Sequence, residues 1–179
     1  MIPIDTIEAF DKFLDEQGIS FECVVVGGAA LGLLGIISRH TKDVDVLDPE
    51  LPQNIVELSI RFAEKRRSEG EILVENWLNN GPASLKRDLS EGWKDRLQLA
   101  FSGTALKIHT LGRLDLLSSK LFALCDRGID IPDCVALAPT DDEIKEIQPW
   151  VEQRDAHPHW PDHVRATLED LREKLKDGI

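Results

Sequence analysis

The chain has 179 residues, of which 42% are hydrophobic, 30% charged and 6% aromatic, with no tyrosine. A chain of that length buries roughly 70% of its unfolded surface without a disulfide or metal staple, and the composition excludes a disordered chain, a collagen-like repeat and a disulfide-dense module. With 21 Lys+Arg against 33 Asp+Glu the net charge is −12, a surface that repels phosphate backbones and anionic lipid, so neither membrane association nor strong non-specific nucleic-acid binding is expected.

One short basic cluster, Lys65-Arg66-Arg67, stands against that field. Cys23, Cys125 and Cys134 are odd in number, widely spaced and form no CxxC pair, which reads as reduced thiols in a cytoplasmic protein. The first residues, Met1 to Asp5, lack a basic start and an apolar run, so no secretory signal is expected. The greasiest stretch, Cys23 to Ile37, is too short to span a bilayer and carries four glycines.

In chain order, Asp5-Thr6-Ile7-Glu8 has the form of an N-cap with glutamate three residues on, followed by Ile7, Phe10 and Leu14 at helical spacing and a stop at Gly18. The β-branched run Phe21 to Val26 predicts a buried strand ended by Gly27-Gly28, and the small and aliphatic residues from Ala29 to Ile37 a buried helix. Asp43 to Leu47 alternates carboxylate with aliphatic, the period of a strand with one apolar face, and Pro49 and Pro52 bound it. Ile55, Leu58, Ser59 and Phe62 mark the inner face of a helix. Ile72-Leu73-Val74 predicts a third strand and Leu106 to His109 a fourth, separated by an irregular, polar excursion from Trp77 to Trp93. Leu114, Leu117, Leu121 and Leu124 pattern a helix, Thr140 to Glu143 forms a second capping box, and Asp162 is the expected N-cap of a last helix burying Val164, Leu168, Leu171 and Leu175. The fold class is therefore α/β (α+β), strand–helix–strand–helix–strand, with an all-helical C-terminal part; the expected division is 1–111 and 112–179, packed as one unit.

The chemistry-bearing stretch is Val26-Gly27-Gly28-Ala29-Ala30 followed by Arg39-His40-Thr41-Lys42-Asp43-Val44-Asp45-Val46. Two glycines between a buried strand and a helix let the backbone turn tightly and approach a ligand, and free N–H groups at a helix start favour an anion such as phosphate. Asp43 and Asp45, two apart on a strand, project from one face about 6–7 Å apart. Like charges that close call for a cation, and hard oxygen ligands suit Mg²⁺ held jointly with substrate phosphates. Each part alone has a plainer reading, a structural turn or a solvated strand face; the ordered combination points to phosphoryl or nucleotidyl transfer. His157, His159 and His163 lie on a Pro-rich loop with no supporting ligand cluster and are not expected to hold a metal.

Gly27-Gly28 followed by Arg39-x-Thr41-x-Asp43-Val44-Asp45 resembles the signature of the DNA polymerase β-like nucleotidyltransferase superfamily, and within it the bacterial AbiEii-type branch, which includes toxins of type IV toxin–antitoxin systems. The segment from Asp115 through Lys120 and Arg127 to Asp133 is similar to that branch's second motif, and Trp77-Leu78-Asn79-Asn80-Gly81 with Trp93 to an uncharacterised subfamily. The resemblance implies a small mixed-sheet nucleotidyltransferase-like core followed by a helical lobe. It implies that Gly27 and Gly28 face phosphate, that Arg39, Thr41 and Lys120 contact the triphosphate, and that Asp43 and Asp45 hold Mg²⁺ or Mn²⁺ on a nucleoside triphosphate. Asp133 would orient Lys120 or Arg127, or act as a base. The acceptor hydroxyl would belong to RNA, protein or a small molecule, and an antitoxin is the implied partner.

One departure bears on turnover. Active members of the superfamily carry a third carboxylate on a later strand, where Leu106 to His109 offers Lys107 and His109 instead; Glu71 and Glu75 are the substitutes the sequence provides. A nucleotide-binding or interaction subunit without catalysis is the alternative reading.

Overall fold

The computed structural model describes residues 4–39, 41–81 and 83–177, which form two compact units, Met1–Gly112 and Arg113–Ile179.

The first unit opens with α1 (Ile4–Glu16), whose Ile7, Phe10 and Leu14 are buried as their spacing predicts. The helix already runs at Ile4, so Asp5 sits inside the first turn rather than capping it. β1 (Phe21–Val26) leads directly into α2 (Gly27–Leu33). α2 begins two residues earlier and ends four residues sooner than the apolar run suggests. The reason is Gly35, whose φ of +70° closes the helix: Gly35 N donates to Gly32 O at 3.0 Å and Ile36 N to Leu31 O at 2.9 Å.

β2 (Val44–Asp48) and α3 (Gln53–Ser68) follow, then β3 (Leu78–Asn80), α4 (Ala83–Asp88), a 3-10 turn at Trp93–Arg96, β4 (Gln98–Ser102) and β5 (Leu106–Thr110). The expected strand at Ile72 to Val74 is not formed: the segment is irregular, with Ile72 89% and Val74 47% exposed and only Leu73 buried. Two strands the sequence did not advertise, β3 and β4, take the sheet's edges instead.

The sheet order is β3-β2-β1-β5-β4. β1 pairs antiparallel with β2 and parallel with β5, β2 parallel with β3, and β4 antiparallel with β5. One face packs on α1 and α3 through a core that includes Phe10, Phe13, Phe62 and Trp77. These rings contact one another, with Phe10 and Trp77 edge-on at 5.0 Å, and the fully buried indole Nε1 donates to Ser59 O at 3.1 Å. Asp11 ties α1 to the β4–β5 turn by accepting from the backbone N–H groups of Thr104, Ala105 and Leu106. Burial pushes its carboxyl up, and those three donors outweigh it and hold it below its ordinary value.

The second unit is helical: α5 (Arg113–Arg127), α6 (Ile131–Leu137), α7 (Asp141–Glu152) and α8 (Trp160–Asp177). The capping box at α7 is present in full, Thr140 Oγ1 accepting from Glu143 N and the Glu143 carboxylate from Thr140 N. α8 starts at Trp160, so Asp162 lies in its first turn and is not the cap; Val164, Leu168 and Leu171 are buried, Leu175 half-buried. All three cysteines are free and buried, with burial pushing each thiol up to about 12. Among the described residues no helix is long and apolar enough to cross a membrane.

Candidate functional site

Val44 and Val46 belong to the core, so pleat alternation turns Asp45 to the other face of the sheet. There it pairs in register with Val26, the last residue before the glycines. Gly27 adopts φ +74°, which a side chain would strain, and a Cβ at that position would lie 3.0 Å from Asp45 Oδ2. The carboxylate therefore looks straight at the elbow. Gly28 is equally close-packed: a Cβ there would meet Thr41 Cγ2 at 2.6 Å and stand 3.6 Å from Arg39 Nη2.

The loop before β2 thus places Arg39 and Thr41 against the glycines. Thr41 is 8% exposed, and its Oγ1 is buried with no hydrogen-bond partner among the described residues. A cavity of about 250 Å³ adjoins them, walled by Gly28, Ala29, Leu33, Ser38, Arg39 and Thr41. Asp43 is exposed and lies one residue before β2, so the strand carries Asp45 but not its partner. His40 lies outside the described residues.

Asn79 is the residue that sequence reasoning flagged without giving it a role. On β3 it is Asp45's register partner, and with its amide oriented to donate, the nitrogen lies 3.0 Å from Asp45 Oδ1 and 2.9 Å from Asn80 O. One carboxylate oxygen is thereby fixed by an amide while the other faces the elbow. Asn80 secures the next connection, its Oδ1 accepting from Leu51 N at 2.8 Å.

The substitutes for a third carboxylate lie elsewhere. Glu71 is ion-paired with Arg66, and Glu75 is exposed on the irregular segment that replaces the expected strand. On β5, His109 and Lys107 both engage Glu22, at 2.8 and 3.2 Å; the His109 hydrogen bond first, then that of Lys107, holds the Glu22 carboxyl below its ordinary value. Among the described residues no group of three or more His, Cys, Asp or Glu converges as a metal cage.

In the second unit Lys120 and Asp133 are brought together. Lys120 Nζ donates to Asp133 Oδ2 at 2.6 Å and to Asp130 Oδ1 at 3.2 Å, and Arg127 Nη2 to Asp130 Oδ2 at 2.9 Å. Lys120 is 5% and Asp133 1% exposed, a buried charge network linking α5 to α6. Asp133 lies within α6, a short helix that Pro132 disguised in the sequence. His157 and His159 engage each other, His159 N donating to His157 Nδ1, while His163 Nε2 lies 2.8 Å from Cys125 O.

The fold is that of a mixed-sheet α/β protein, with a glycine elbow, an arginine and a buried threonine gathered beside the strand-borne Asp45. The profile of a family described as nucleotidyltransferase of unknown function (DUF6036) matches residues 4–138, which include the elbow, both aspartates, Lys120 and Asp133. The chain belongs to that family. No curated protein and no solved structure matches it.

Proposed function

We propose that the chain binds a nucleoside triphosphate with Mg²⁺ or Mn²⁺ and transfers its nucleoside monophosphate to a hydroxyl acceptor on RNA, protein or a small molecule, as a cytoplasmic, toxin-like member of the AbiEii-type branch working with an antitoxin. The observation that carries this reading is the alignment of the Asp45 carboxylate on the Gly27 elbow at 3.0 Å from a built Cβ. A side chain at that point would close the approach of a polyphosphate to the carboxylate.

Asp43 and Asp45 would hold the metal, which supplies charge neutralisation on the phosphates and orientation of the displaced group. Gly27 and Gly28 give the triphosphate a surface without side chains. Thr41 Oγ1, buried and unpartnered among the described residues, has a hydrogen bond to offer, and Arg39 brings positive charge to the same elbow. Asn79 fixes the carboxylate that the metal would use. Asp133 orients Lys120. In the transfer, the acceptor oxygen bonds to the α-phosphorus, the bond from that phosphorus to the β-bridging oxygen breaks, pyrophosphate leaves and the hydroxyl proton passes to solvent.

A specific observation favours a second reading, nucleotide binding without turnover: the neighbour of Asp45 on β3 is an amide, not a carboxylate, and Lys120 already shares its charge with two aspartates. Transfer of label from α-labelled NTPs separates the two. Label moved by the wild type and lost in Asp43→Ala/Asp45→Ala supports the enzyme; Mg²⁺-dependent binding with no transfer supports the binding subunit.

A further inference from the structure

On the same sheet face as Asp45 lies a second carboxylate that the proposed chemistry does not use. The β1–β2 ladder is bulged: Val25 pairs with Val46 but Val24 with Asp48, skipping Leu47. Val24 stands outside the core cluster that contains Cys23 and Val25, so its cross-strand partner Asp48 projects to the face Asp45 occupies. Without the bulge, Asp48 would fall on the core face.

Two cations converge on it. Lys86 from α4 pairs with Asp48 Oδ1, and Lys94 from the 3-10 turn donates to Asp48 Oδ2 at 2.7 Å. The Lys94 ammonium also lies 5.4 Å from the centre of the buried Trp93 ring. The Asp48 side chain is 18% exposed, those of Lys86 and Lys94 41% and 59%. Burial pushes the Asp48 carboxyl up, and the two lysines outweigh it and hold it below its ordinary value. The cluster carries one net positive charge, and each ammonium has two donors beyond its bond to Asp48. In a chain of net charge −12, two lysines steered to one spot form a local site for an anion.

Its position says which anion. Asp48 is three residues from Asp45, roughly 10 Å along the strand, so one Mg²⁺ with ligands at about 2 Å cannot join the two. Because β2 runs antiparallel to β1, going from Asp45 to Asp48 leads from Val26 back to Val24, away from Gly27. The elbow and the lysines therefore lie on opposite sides of Asp45. In an in-line displacement the attacking oxygen arrives opposite the leaving group; with pyrophosphate at the elbow, the acceptor comes from the lysine side. We propose that Lys86 and Lys94, which meet at Asp48 on this sheet face, bind a phosphate group carried by the acceptor. This rests on the reading of Asp45 as the metal-binding centre, and it favours a phosphate-bearing acceptor over an uncharged protein hydroxyl.

The test is a ³¹P NMR titration of the full chain with inorganic phosphate, with and without saturating Mg²⁺ and a non-hydrolysable NTP. Lys86→Gln/Lys94→Gln should weaken phosphate binding by about tenfold or more, the loss of two charge-assisted hydrogen bonds, while Arg67→Gln stays within about twofold of wild type, its charge lying off this face. Asp48→Asn lowers thermal stability but leaves phosphate bound at least as tightly, because it removes a competing negative charge. The NTP analogue should not displace phosphate. No binding by wild type, unchanged binding in the double lysine variant, or a loss in Asp48→Asn as large as in the lysine variant overturns the site; displacement by the analogue moves the lysines to the nucleotide's own tail and overturns the acceptor assignment. If Asp43→Ala/Asp45→Ala leaves Mg²⁺-dependent NTP binding intact, the metal-centre reading fails, whereas the phosphate titration still reports on the lysines. Should phosphate bind as expected, transfer to a phosphorylated sugar compared with transfer to an oligonucleotide identifies the source of the phosphate.

Discussion

Gly27 and Asp45 face each other across the β1–β2 pair, the left-handed glycine leaving 3.0 Å between a built Cβ and the carboxylate Oδ2. The positive φ strains a side chain there, and the close approach independently crowds the Asp45 carboxylate. Gly27→Ala should therefore destabilise the fold by about 1–3 kcal/mol and also disturb the Asp45 carboxylate. Urea unfolding gives the first effect and Mg²⁺-dependent NTP affinity the second.

Gly28 and Thr41 offer a cleaner contact to probe, because only the threonine methyl stands in the way, 2.6 Å from a built Cβ. Gly28→Ala should cost about 1–3 kcal/mol through overpacking. Thr41→Ser removes the offending methyl and keeps the hydroxyl, so the double variant should recover most of that loss. A double-mutant cycle by urea denaturation measures the coupling; additive effects would mean that the two residues do not press on each other.

Asn79 donates to Asp45 Oδ1 from the neighbouring strand. Asn79→Asp replaces that donor with a second negative charge and should lower the melting temperature in chelator. Added Mg²⁺ should restore it, since two facing carboxylates make a cation site where one carboxylate and an amide make a weaker one. Thermal unfolding with and without Mg²⁺ checks this; a magnesium response equal to that of the wild type would show that the two side chains do not meet.

The Lys120–Asp133 pair behaves as buried charge. Removing the lysine takes the ammonium from Asp133, 1% exposed, and Lys120→Met should cost about 3–5 kcal/mol. Lys120→Met/Asp133→Asn should recover part of that loss, because the buried negative charge goes together with the ammonium that balanced it. Guanidinium unfolding of the three variants is the measurement.

A pH prediction follows from α7. Arg113 Nε donates to Glu143 Oε1 at 2.6 Å and Nη2 to Oε2 at 3.0 Å. The Arg113 guanidinium first, and then the Thr140 N–H, hold the Glu143 carboxyl at about 2, against an ordinary value of 4.5. A depressed carboxyl stabilises the fold fully above its unfolded value, so this contribution is present above pH 4.5 and is lost as pH falls from there toward about 2. Arg113→Gln should flatten that part of the stability–pH curve without changing the slope near neutrality.

The elements legible in the sequence were those with a strong local pattern. The spacing of Ile7, Phe10 and Leu14, the β-branched Phe21 to Val26 and the capping box at Thr140 each specify their structure within a few residues. The elements missed owe their form to tertiary contacts. β3 is three residues whose strand conformation depends on pairing with β2, and Leu78-Asn79-Asn80 carries no apolar alternation. Ile72 to Val74 has strand-like residues but joins no strand of the sheet, and only Leu73 is buried. β4 alternates weakly because its side chains are only partly buried.

The site was legible as a motif and not as a constellation. Gly27, Gly28 and Asp45 are flagged by residue type and spacing, yet the part played by Asn79 depends on strand register, and Asp48 reaches the same face only because of a bulge. Neither register nor bulge leaves a local signature in a single sequence. Lys120 likewise reads as a helix-surface lysine until α6, with Asp130 at its start, brings two carboxylates to it.

The most direct test of the central claim is the Mg²⁺ dependence of NTP binding in Asp45→Asn, followed by isothermal titration with a non-hydrolysable analogue alongside thermal unfolding. The Mg²⁺-dependent part of the affinity should vanish while the melting temperature holds or rises. Affinity unchanged across the Mg²⁺ series, with or without a loss of stability, would contradict it.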